Sequence, residues 1–525
     1  MYAGHPPRAR AASAPQAPGR IREAGLARVR GWVPCAILLL YVALGVLYAA
    51  LTPLWQNPDE PAHYNYVKQI AATGQLPVMQ VGDYPAAYLE ELKSRRFPAD
   101  MPVDAIRYEG WQPPLYYLLS AGVYLAASAL PLAGQVLVLR LFSVAIGALL
   151  IWTVYRLARE VLGDSPLLAW GAMAFPVVVP MHLAMLAAIN NDGLAELLVT
   201  ATLLGCVRLI NRGATSRRLL VLGVLLGLGL LTKNTTAIVA PVILLSVWLS
   251  AERRASESRW APWLRALGGI GLPALLLSGG WYLRNALVYG WGDPLIWRRH
   301  GEVVAGQLTT AQYLATRDWG QWLGDLVMTT FRSFWAQFGW MAVPIDHRIY
   351  WLLGVLSGLA TVGFALWLVR RRRAIRGQGH WLAPPTLVQM RVFAVLASAV
   401  LLTLALFLGY NVGYVQFQGR YLFPAIAPLG MAFVLGWREL LQRGPDRWLA
   451  IAFGVGAWMS IGAGIDRGDV DVAALGLLAA CSVAFLLKKR IPARFHPAII
   501  AAIYAGLLAL TAASPWLYIR PYLAP

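Results

Sequence analysis

The sequence predicts an all-α polytopic membrane protein of about thirteen transmembrane helices, with a large first external loop that bears amphipathic helices. Hydrophobic residues make up 58% of the 525 residues, and charged residues make up only 13%. This balance excludes an ordinary soluble domain. Many apolar runs approach the roughly 20 residues that a helix needs to cross a bilayer core of ~30 Å. The alternating pattern of a membrane β-barrel is not found in the sequence.

Thirteen apolar segments are predicted to cross the membrane. They are residues 32–52, 136–158, 165–184, 192–211, 219–232, 236–250, 267–289, 350–369, 392–412, 421–441, 448–465, 471–487 and 497–513. A further apolar stretch, residues 113–130, is predicted to lie along the outer surface as a helix rather than to cross. Residues 1–31, rich in Ala, Pro and Arg, are predicted to be a disordered basic tail.

The distribution of positive charge fixes the predicted orientation. The net charge is +20, and four basic clusters fall on one side when residues 113–130 are not counted as a span. These clusters are Arg217-Arg218, Arg253-Arg254, Arg370 to Arg373 and Lys488-Lys489-Arg490. Because basic loops stay in the cytoplasm, that side and the N-terminus are predicted to be cytoplasmic. The positive charge is therefore a topology signal, and it does not indicate nucleic-acid binding.

Two adjacent carboxylates, Asp59 and Glu60, stand between prolines just after the first span. Pro61 suits a first helical position, and Gly74 suits a helix end, so a short helix is predicted over 61–73. His63 would lie on its buried face. One acid could simply cap this helix. Capping accounts for one carboxylate and not for a rigid pair at the membrane edge, so we interpret the pair as functional.

Other polar groups are predicted to meet this pair on the external face. Asp192 begins a span, where helix capping is the ordinary explanation. Lys233 lies in a turn between two spans that are too short for full crossings, so it is predicted to be recessed, with an anion as its partner. Arg284 and Arg420 stand at two further outer boundaries, and arginine is well suited to binding phosphate. The three cysteines lie in apolar stretches without metal-ligand spacing.

These motifs resemble those of the C-type glycosyltransferases over residues of about 33 to 440. The resemblance is carried by Asp59-Glu60, Asn191-Asp192, Thr232-Lys233, Trp281-Tyr282-Leu283-Arg284-Asn285 and Gln418-Gly419-Arg420-Tyr421. The family transfers sugars from polyprenyl-phosphate donors and includes protein O-mannosyltransferases and aminoarabinose transferases. The resemblance implies a transmembrane catalytic module over 32–440, with external loops at 53–135 and 290–349. Residues 441–525 are predicted to add C-terminal helices without the soluble external domain that many relatives carry.

The resemblance also implies roles for individual residues. Asp59 matches the catalytic acidic position and Asp192 the second acidic position, and Lys233 and Arg420 fall near positions that hold the donor phosphate. Because polyprenyl phosphate leaves readily, the reaction needs a base and a phosphate clamp more than a general acid. We expect Asp59 to be the base, Glu60 to support it or to bind sugar hydroxyls, and Arg284 to join the clamp. One base without a matching acid favours displacement with inversion.

The remaining expectations concern ligands and location. The residues predicted to contact the acceptor or the sugar are His63, Asn191, Gln418 and Tyr421. No cofactor is certain, and the sequence leaves open a divalent metal, Mg²⁺ or Mn²⁺, bound by Asp59 and Asp192. The expected partners are a polyprenyl-phosphate-linked sugar and a lipid, glycan or protein acceptor at the plasma (inner) membrane. The alternatives are a transporter or lipid flippase, disfavoured because no internal repeat is found and the spans carry little charge, and a structural scaffold.

Overall fold

The computed structural model of the chain describes residues 18–163, 165–250, 260–376, 384–467 and 470–525, and most of these residues are helical. The helices of the first half are α1 (Pro18–Leu51), α2 (Glu60–Thr73), α3 (Ala86–Ser94), α4 (Leu115–Ala126), α5 (Leu132–Leu162), α6 (Pro166–Ala174), α7 (Pro180–Leu186), α8 (Asp192–Arg212), α9 (Ser216–Leu230), α10 (Val239–Ser250), α11 (Ala261–Ala266) and α12 (Leu272–Tyr289). The helices of the second half are α13 (Trp297–Val303), α14 (Thr310–Leu314), α15 (Trp319–Trp335), α16 (His347–Ile375), α17 (Leu387–Gly413), α18 (Ile426–Arg443), α19 (Asp446–Arg467), α20 (Val472–Leu487), α21 (His496–Ser514) and α22 (Arg520–Leu523).

The strands are very short. β1 (Gln337–Phe338) and β2 (Val343–Pro344) pair antiparallel, with Gln337 opposite Pro344 and Phe338 opposite Val343. Two short 3₁₀ segments, Tyr108–Trp111 in the first loop and Gly419–Ala425 before α18, carry Tyr108 and Arg420, whose side chains both contact Asp59. The prediction of an all-α membrane protein is therefore confirmed.

Fewer helices than predicted are long and apolar enough to cross a membrane. Within the described ranges, nine helices are long and apolar enough to cross a membrane, and the pair Pro166–Val177 and Pro180–Leu186, bent by 67°, would make a tenth. The count of about thirteen is thus not confirmed. α9 and α10 have only 15 and 12 residues, which is short for a bilayer core at ~1.5 Å rise per residue.

The N-terminal tail also differs from the sequence prediction. Residues 1–17 lie outside the described residues, and α1 begins at Pro18, so residues 18–31 continue the first helix. Arg and Ala, which are frequent there, are good helix formers, and the segment has no proline after Pro18. The stretch predicted to lie flat at the outer surface is the 12-residue helix α4.

Two apolar cores organise the molecule. The first lies within the bundle, where α1, α5, α7, α8 and α18 bury side chains such as Tyr41, Leu150 and Leu183. The second fastens the first loop to the bundle, because α2 and α4 pack against α5 and α8 through Tyr117, Leu139 and their neighbours. The polar residues of the candidate site lie beside this second core.

Candidate active site

The turn that carries Asp59 is held in a left-handed backbone conformation, with φ 65° and ψ −3°. Asp is one of the few residues besides Gly that adopt this conformation readily. Asp59 precedes α2, but its side chain makes no capping hydrogen bond to that helix. α2 itself ends where the sequence predicted, because Gly74 accepts the left-handed conformation with φ 67°. Simple helix capping therefore does not account for the Asp59 carboxylate.

Instead, the carboxylate of Asp59 has two distant partners. Arg420 Nη2 lies 2.7 Å from Asp59 Oδ2, and the Tyr108 hydroxyl donates to Oδ1 at 2.7 Å. Burial alone would raise the pKa of Asp59, but the Arg420 guanidinium and these hydrogen bonds hold that pKa below its ordinary value. Asp59 is therefore a carboxylate at neutral pH, with 21% of its side chain exposed.

A second ion pair stands close to the first. Asp192 lies in the first turn of α8, where its backbone N–H is capped by Asn190 Oδ1 at 3.0 Å. Its side chain pairs with Lys233, which begins the turn between α9 and α10. About a fifth of each side chain is exposed, 23% for Asp192 and 20% for Lys233. Lys233 is thus recessed and bound to an anionic side chain, as the short hairpin predicted.

His63 shows that the two pairs form one cluster. Its pKa is lowered to about 4, first by burial, while the charges of Asp59, Lys233, Asp192 and Arg420 all act on the ring. The neutral imidazole shares a hydrogen bond of 2.8 Å, through Nδ1, with the Tyr117 hydroxyl. We call Asp59, Arg420, Asp192 and Lys233 the charged cluster.

Several buried polar atoms around the charged cluster have no hydrogen-bond partner within the described part of the chain. They are Glu109 Oε2, Asn191 Oδ1, Gln418 Oε1 and Arg420 Nε. Buried polar groups are normally paired, and leaving one unpaired costs roughly 1–3 kcal/mol. Four such atoms on the residues of the charged cluster and of the segments that carry or contact it leave hydrogen-bonding capacity for a polar ligand.

The amide and aromatic residues predicted to contact the sugar have well-defined neighbours. Asn191 Nδ2 donates to Gln112 Oε1 at 3.2 Å and to the Thr232 carbonyl at 2.9 Å, which ties the start of α8 to the first loop and the Lys233 turn. Gln418 Nε2 donates to Gln416 Oε1 at 2.9 Å. The Arg420 guanidinium lies 5.4 Å from the centre of the Tyr421 ring.

Glu60 occupies a very different position from its neighbour. Its side chain is fully buried, and Arg140 of α5 contacts both carboxylate oxygens, at 2.8 and 2.6 Å. Asn57 Nδ2 and the Ile189 backbone N–H also donate to Oε1, each at 3.3 Å. A carboxylate enclosed in this way cannot contact a substrate, so the expected sugar-binding role of Glu60 does not fit its position. It joins the Asp59 turn to α5 and to the segment before α8.

Arg284 is also placed elsewhere. Its guanidinium donates to the Pro77 carbonyl at 2.8 Å and stacks over Trp281 and Tyr289, with 5.2 and 5.9 Å to the ring centres. These contacts fasten α12 to the first loop. The structure therefore does not bring Arg284 into the charged cluster, where the sequence pattern had placed it.

The donor set of the cluster does not fit a divalent metal. Asp59 and Asp192 are each paired with a cation, Arg420 and Lys233, and Mg²⁺ or Mn²⁺ would have to compete with both. Within the described residues there is no group of three or more His, Cys, Asp or Glu side chains in metal-binding arrangement. We therefore derive no step through a metal ion.

Three residues of this region were not predicted from the sequence: Tyr108, Glu109 and Arg140. Arg140 lies within the predicted span 136–158, and an ionisable residue inside a span is a signal that could have found it. Tyr108 and Glu109 belong to the irregular part of the first loop, where the residue pattern gives no indication of their contacts.

Comparison with known proteins agrees with this architecture. A model of the DUF2142 family, described as predicted membrane proteins, matches residues 100–429. The chain belongs to this family. The matched region contains Asp192, Lys233 and Arg420, and it begins after Asp59. A search of curated proteins finds no match.

Similar solved structures include C-type glycosyltransferases. ArnT from Cupriavidus metallidurans in the apo state is 15% identical, with a TM-score of 0.50, and the alignment covers 94% of this chain and 78% of ArnT. The same enzyme bound to undecaprenyl phosphate gives 16% identity, coverage of 94% and 78%, and a TM-score of 0.47. A third structure is oligosaccharyltransferase AglB from Archaeoglobus fulgidus in complex with an inhibitory peptide and a dolichol-phosphate. It is 15% identical, with a TM-score of 0.45, and the alignment covers 92% of this chain and 54% of AglB. The likeness to apo ArnT shows that the chain has the C-type glycosyltransferase fold.

Proposed function

We propose that this protein transfers a sugar from a polyprenyl-phosphate donor to an acceptor hydroxyl, with Asp59 as the base. The observation that carries the proposal is the charged cluster, in which a carboxylate that stays ionised at neutral pH adjoins two cations and several unpaired buried polar atoms. A sugar phosphate offers hydroxyls for the polar atoms and an anion for the cations.

The reaction follows from the roles of these groups. Asp59 accepts the proton of the acceptor hydroxyl as the acceptor oxygen forms a bond to the anomeric carbon. The bond between that carbon and the phosphate oxygen breaks at the same time, and its electron pair leaves with the phosphate. A single displacement of this kind inverts the anomeric configuration.

Lys233 and Arg420 form the proposed phosphate clamp. Charge accumulates on the phosphate as it departs, and fixed cations stabilise that charge more in the transition state than in the bound donor. Asp192 orients Lys233, and Tyr108 orients Asp59. Asn191, Gln418, Tyr421 and neutral His63 surround the sugar and acceptor, whereas Glu60 and Arg284 hold the surrounding fold in place.

The location of the site follows from the charge pattern of the loops. We propose that the N-terminus is cytoplasmic and that the charged cluster faces the external, or periplasmic, side of the inner membrane. The acceptor would then be a lipid, glycan or protein of the cell envelope.

The test is a transfer assay with the purified full-length protein. It is incubated with a panel of radiolabelled polyprenyl-phosphate sugars and candidate acceptors, and the anomeric configuration of the product is measured. Transfer or hydrolysis of at least one donor, with inversion in any transfer product, is expected. Binding without turnover of any donor, or a product with retained configuration, would contradict the mechanism.

A further inference from the structure

Glu109 is a buried carboxylic acid next to the charged cluster that the proposed mechanism does not use. It belongs to the one-turn helix Tyr108–Trp111 and directly follows Tyr108, the residue that donates to Asp59. The residue is only 9% exposed. Its Oε2 has no hydrogen-bond partner among the residues that the structure describes.

The groups that face Glu109 come from several elements. The negative charge of Asp59 acts on it most strongly, followed by the positive charge of Lys233, the Gln112 side chain and the positive charge of Arg420. The charge of Glu109 in turn acts on Tyr117 of α4 and Tyr410 of α17. Glu109 is therefore within electrostatic range of Asp59, Lys233 and Arg420.

The environment also sets the protonation state of Glu109. Burial, and then the charge of Asp59, raise the pKa of Glu109 to about 8. At neutral pH most molecules therefore carry the uncharged acid, which offers an O–H donor as well as an oxygen acceptor.

A purely structural role would leave both oxygens paired, as they are in Glu60. Glu60 receives four donating groups and has no exposure. Glu109 has the burial of a structural residue but keeps an unpaired oxygen, and that atom needs a partner from outside the protein.

We propose that Glu109 binds a hydroxyl of the donor sugar. This inference rests on the proposed function. A sugar hydroxyl both donates and accepts hydrogen bonds, and so does an uncharged carboxylic acid. A phosphate offers only acceptors, and in the proposed mechanism Lys233 and Arg420 already bind it. The sugar must also lie between the base and the phosphate clamp, and Glu109 is within electrostatic range of both, namely of Asp59 and of Lys233 and Arg420.

The experiment measures binding of two probes to purified full-length protein. One probe is undecaprenyl phosphate without a sugar, and the other is the same lipid carrying glucose, mannose or arabinose, whichever the wild type binds most tightly. Glu109→Met keeps the length of the side chain and removes its hydrogen bonds. We expect it to weaken binding of the sugar-loaded lipid by about three- to tenfold, the size of one uncharged hydrogen bond.

The controls separate sugar binding from structure. Binding of the sugar-free lipid to Glu109→Met should be unchanged, and Glu109→Gln, which keeps a donor and an acceptor, should retain most of the affinity for the loaded lipid. If Glu109→Met does not fold, Glu109→Asp takes its place, because the shorter side chain should lose affinity only for the loaded lipid. Equal weakening for both probes, or no weakening for either, would overturn the inference. Failure of the wild type to bind either probe would instead count against the proposed function.

Discussion

Asp59 and Glu60 are neighbours in the chain, yet they belong to opposite kinds of polar environment. Glu60 lies in a closed site, where Arg140, Asn57 and the Ile189 backbone satisfy both oxygens and no surface is exposed. Asp59 lies in an open site, with one partner on each oxygen and 21% of its side chain exposed. Four buried polar atoms that are unpaired among the described residues, Glu109 Oε2, Asn191 Oδ1, Gln418 Oε1 and Arg420 Nε, belong to residues of the charged cluster or of the segments that carry or contact it.

This difference distinguishes an acid that holds the fold from one that acts on a substrate. Both acids are paired with an arginine, so charge pairing alone does not separate them, although Glu60 is fully buried and Asp59 is partly exposed. What separates them is whether the surrounding hydrogen bonds are complete. An acid whose hydrogen bonds are complete connects helices, whereas incomplete hydrogen bonding around an acid leaves groups free to bind a ligand.

The sharpest contrast is expected in turnover. Asp59→Asn removes the base and keeps the shape of the side chain, so the transfer rate should fall by about 10²- to 10⁴-fold, the usual contribution of acid–base catalysis. Donor binding should be largely retained, since the carboxylate is needed in the transition state. The melting temperature should fall less than in Glu60→Gln, because the Asp59–Arg420 pair is partly exposed. An Asp59→Asn protein with wild-type turnover would remove Asp59 from the mechanism.

Glu60→Gln should show the opposite pattern, with its main effect on stability. Leaving Arg140 without its counter-ion in the protein interior should cost about 3–5 kcal/mol, seen as a large fall in melting temperature. The double variant Glu60→Leu/Arg140→Leu should recover only part of this loss, because Arg140 also donates to the carbonyls of Ala49, Thr52 and Pro53. A stable Glu60→Gln protein without turnover would mean that Glu60 acts on the substrate.

The two cations Lys233 and Arg284 provide a matched pair for donor binding. Lys233→Met should weaken binding of a polyprenyl-phosphate sugar by about 1.5–3 kcal/mol, or roughly one to two decades in affinity. Arg284→Met should leave that affinity unchanged, because Arg284 contacts Pro77 and two aromatic rings. If Lys233→Met lowers only the melting temperature, Lys233 is a structural residue and the clamp must be sought elsewhere.

A further contrast concerns pH and Glu109. Its pKa rises from an ordinary 4.5 to about 8 on folding, so between these values the folded protein holds a proton that the unfolded chain has released. Stability from this group is therefore complete below pH 4.5, and it falls as pH rises to about 8. The melting temperature of the wild type, relative to that of Glu109→Gln, should decline over this range and level off above it. A constant difference would show that Glu109 is ionised in the folded protein.

The sequence was sufficient to predict those parts of the structure that depend on residues close together in the chain. Long apolar runs predicted the helices, and Pro61 and Gly74 predicted α2 to within one residue. Lys233 was predicted to be recessed because its hairpin is short. These features depend on periodicity, turn residues and helix length, all of which can be read from neighbouring positions.

The remaining features depend on contacts between distant residues. Nothing near Glu60 indicates that Arg140, 80 residues later, will enclose it. Similarly, Arg284 contacts Pro77, 207 residues away in the chain. This contact places Arg284 outside the charged cluster, although the motif alone assigns it to the phosphate. Glu109 has no recognisable pattern around it, and only the folded loop brings it to the cluster.

The most direct test of the charged cluster is a structure of the Asp59→Asn protein with a polyprenyl-phosphate sugar bound, determined by cryo-electron microscopy. The proposed mechanism predicts that the phosphate oxygens lie within hydrogen-bond distance, about 2.7–3.2 Å, of Lys233 and Arg420, with the anomeric carbon facing residue 59. A phosphate bound at Arg284 instead, or a sugar placed away from residue 59, would contradict the assignment of the base and the clamp.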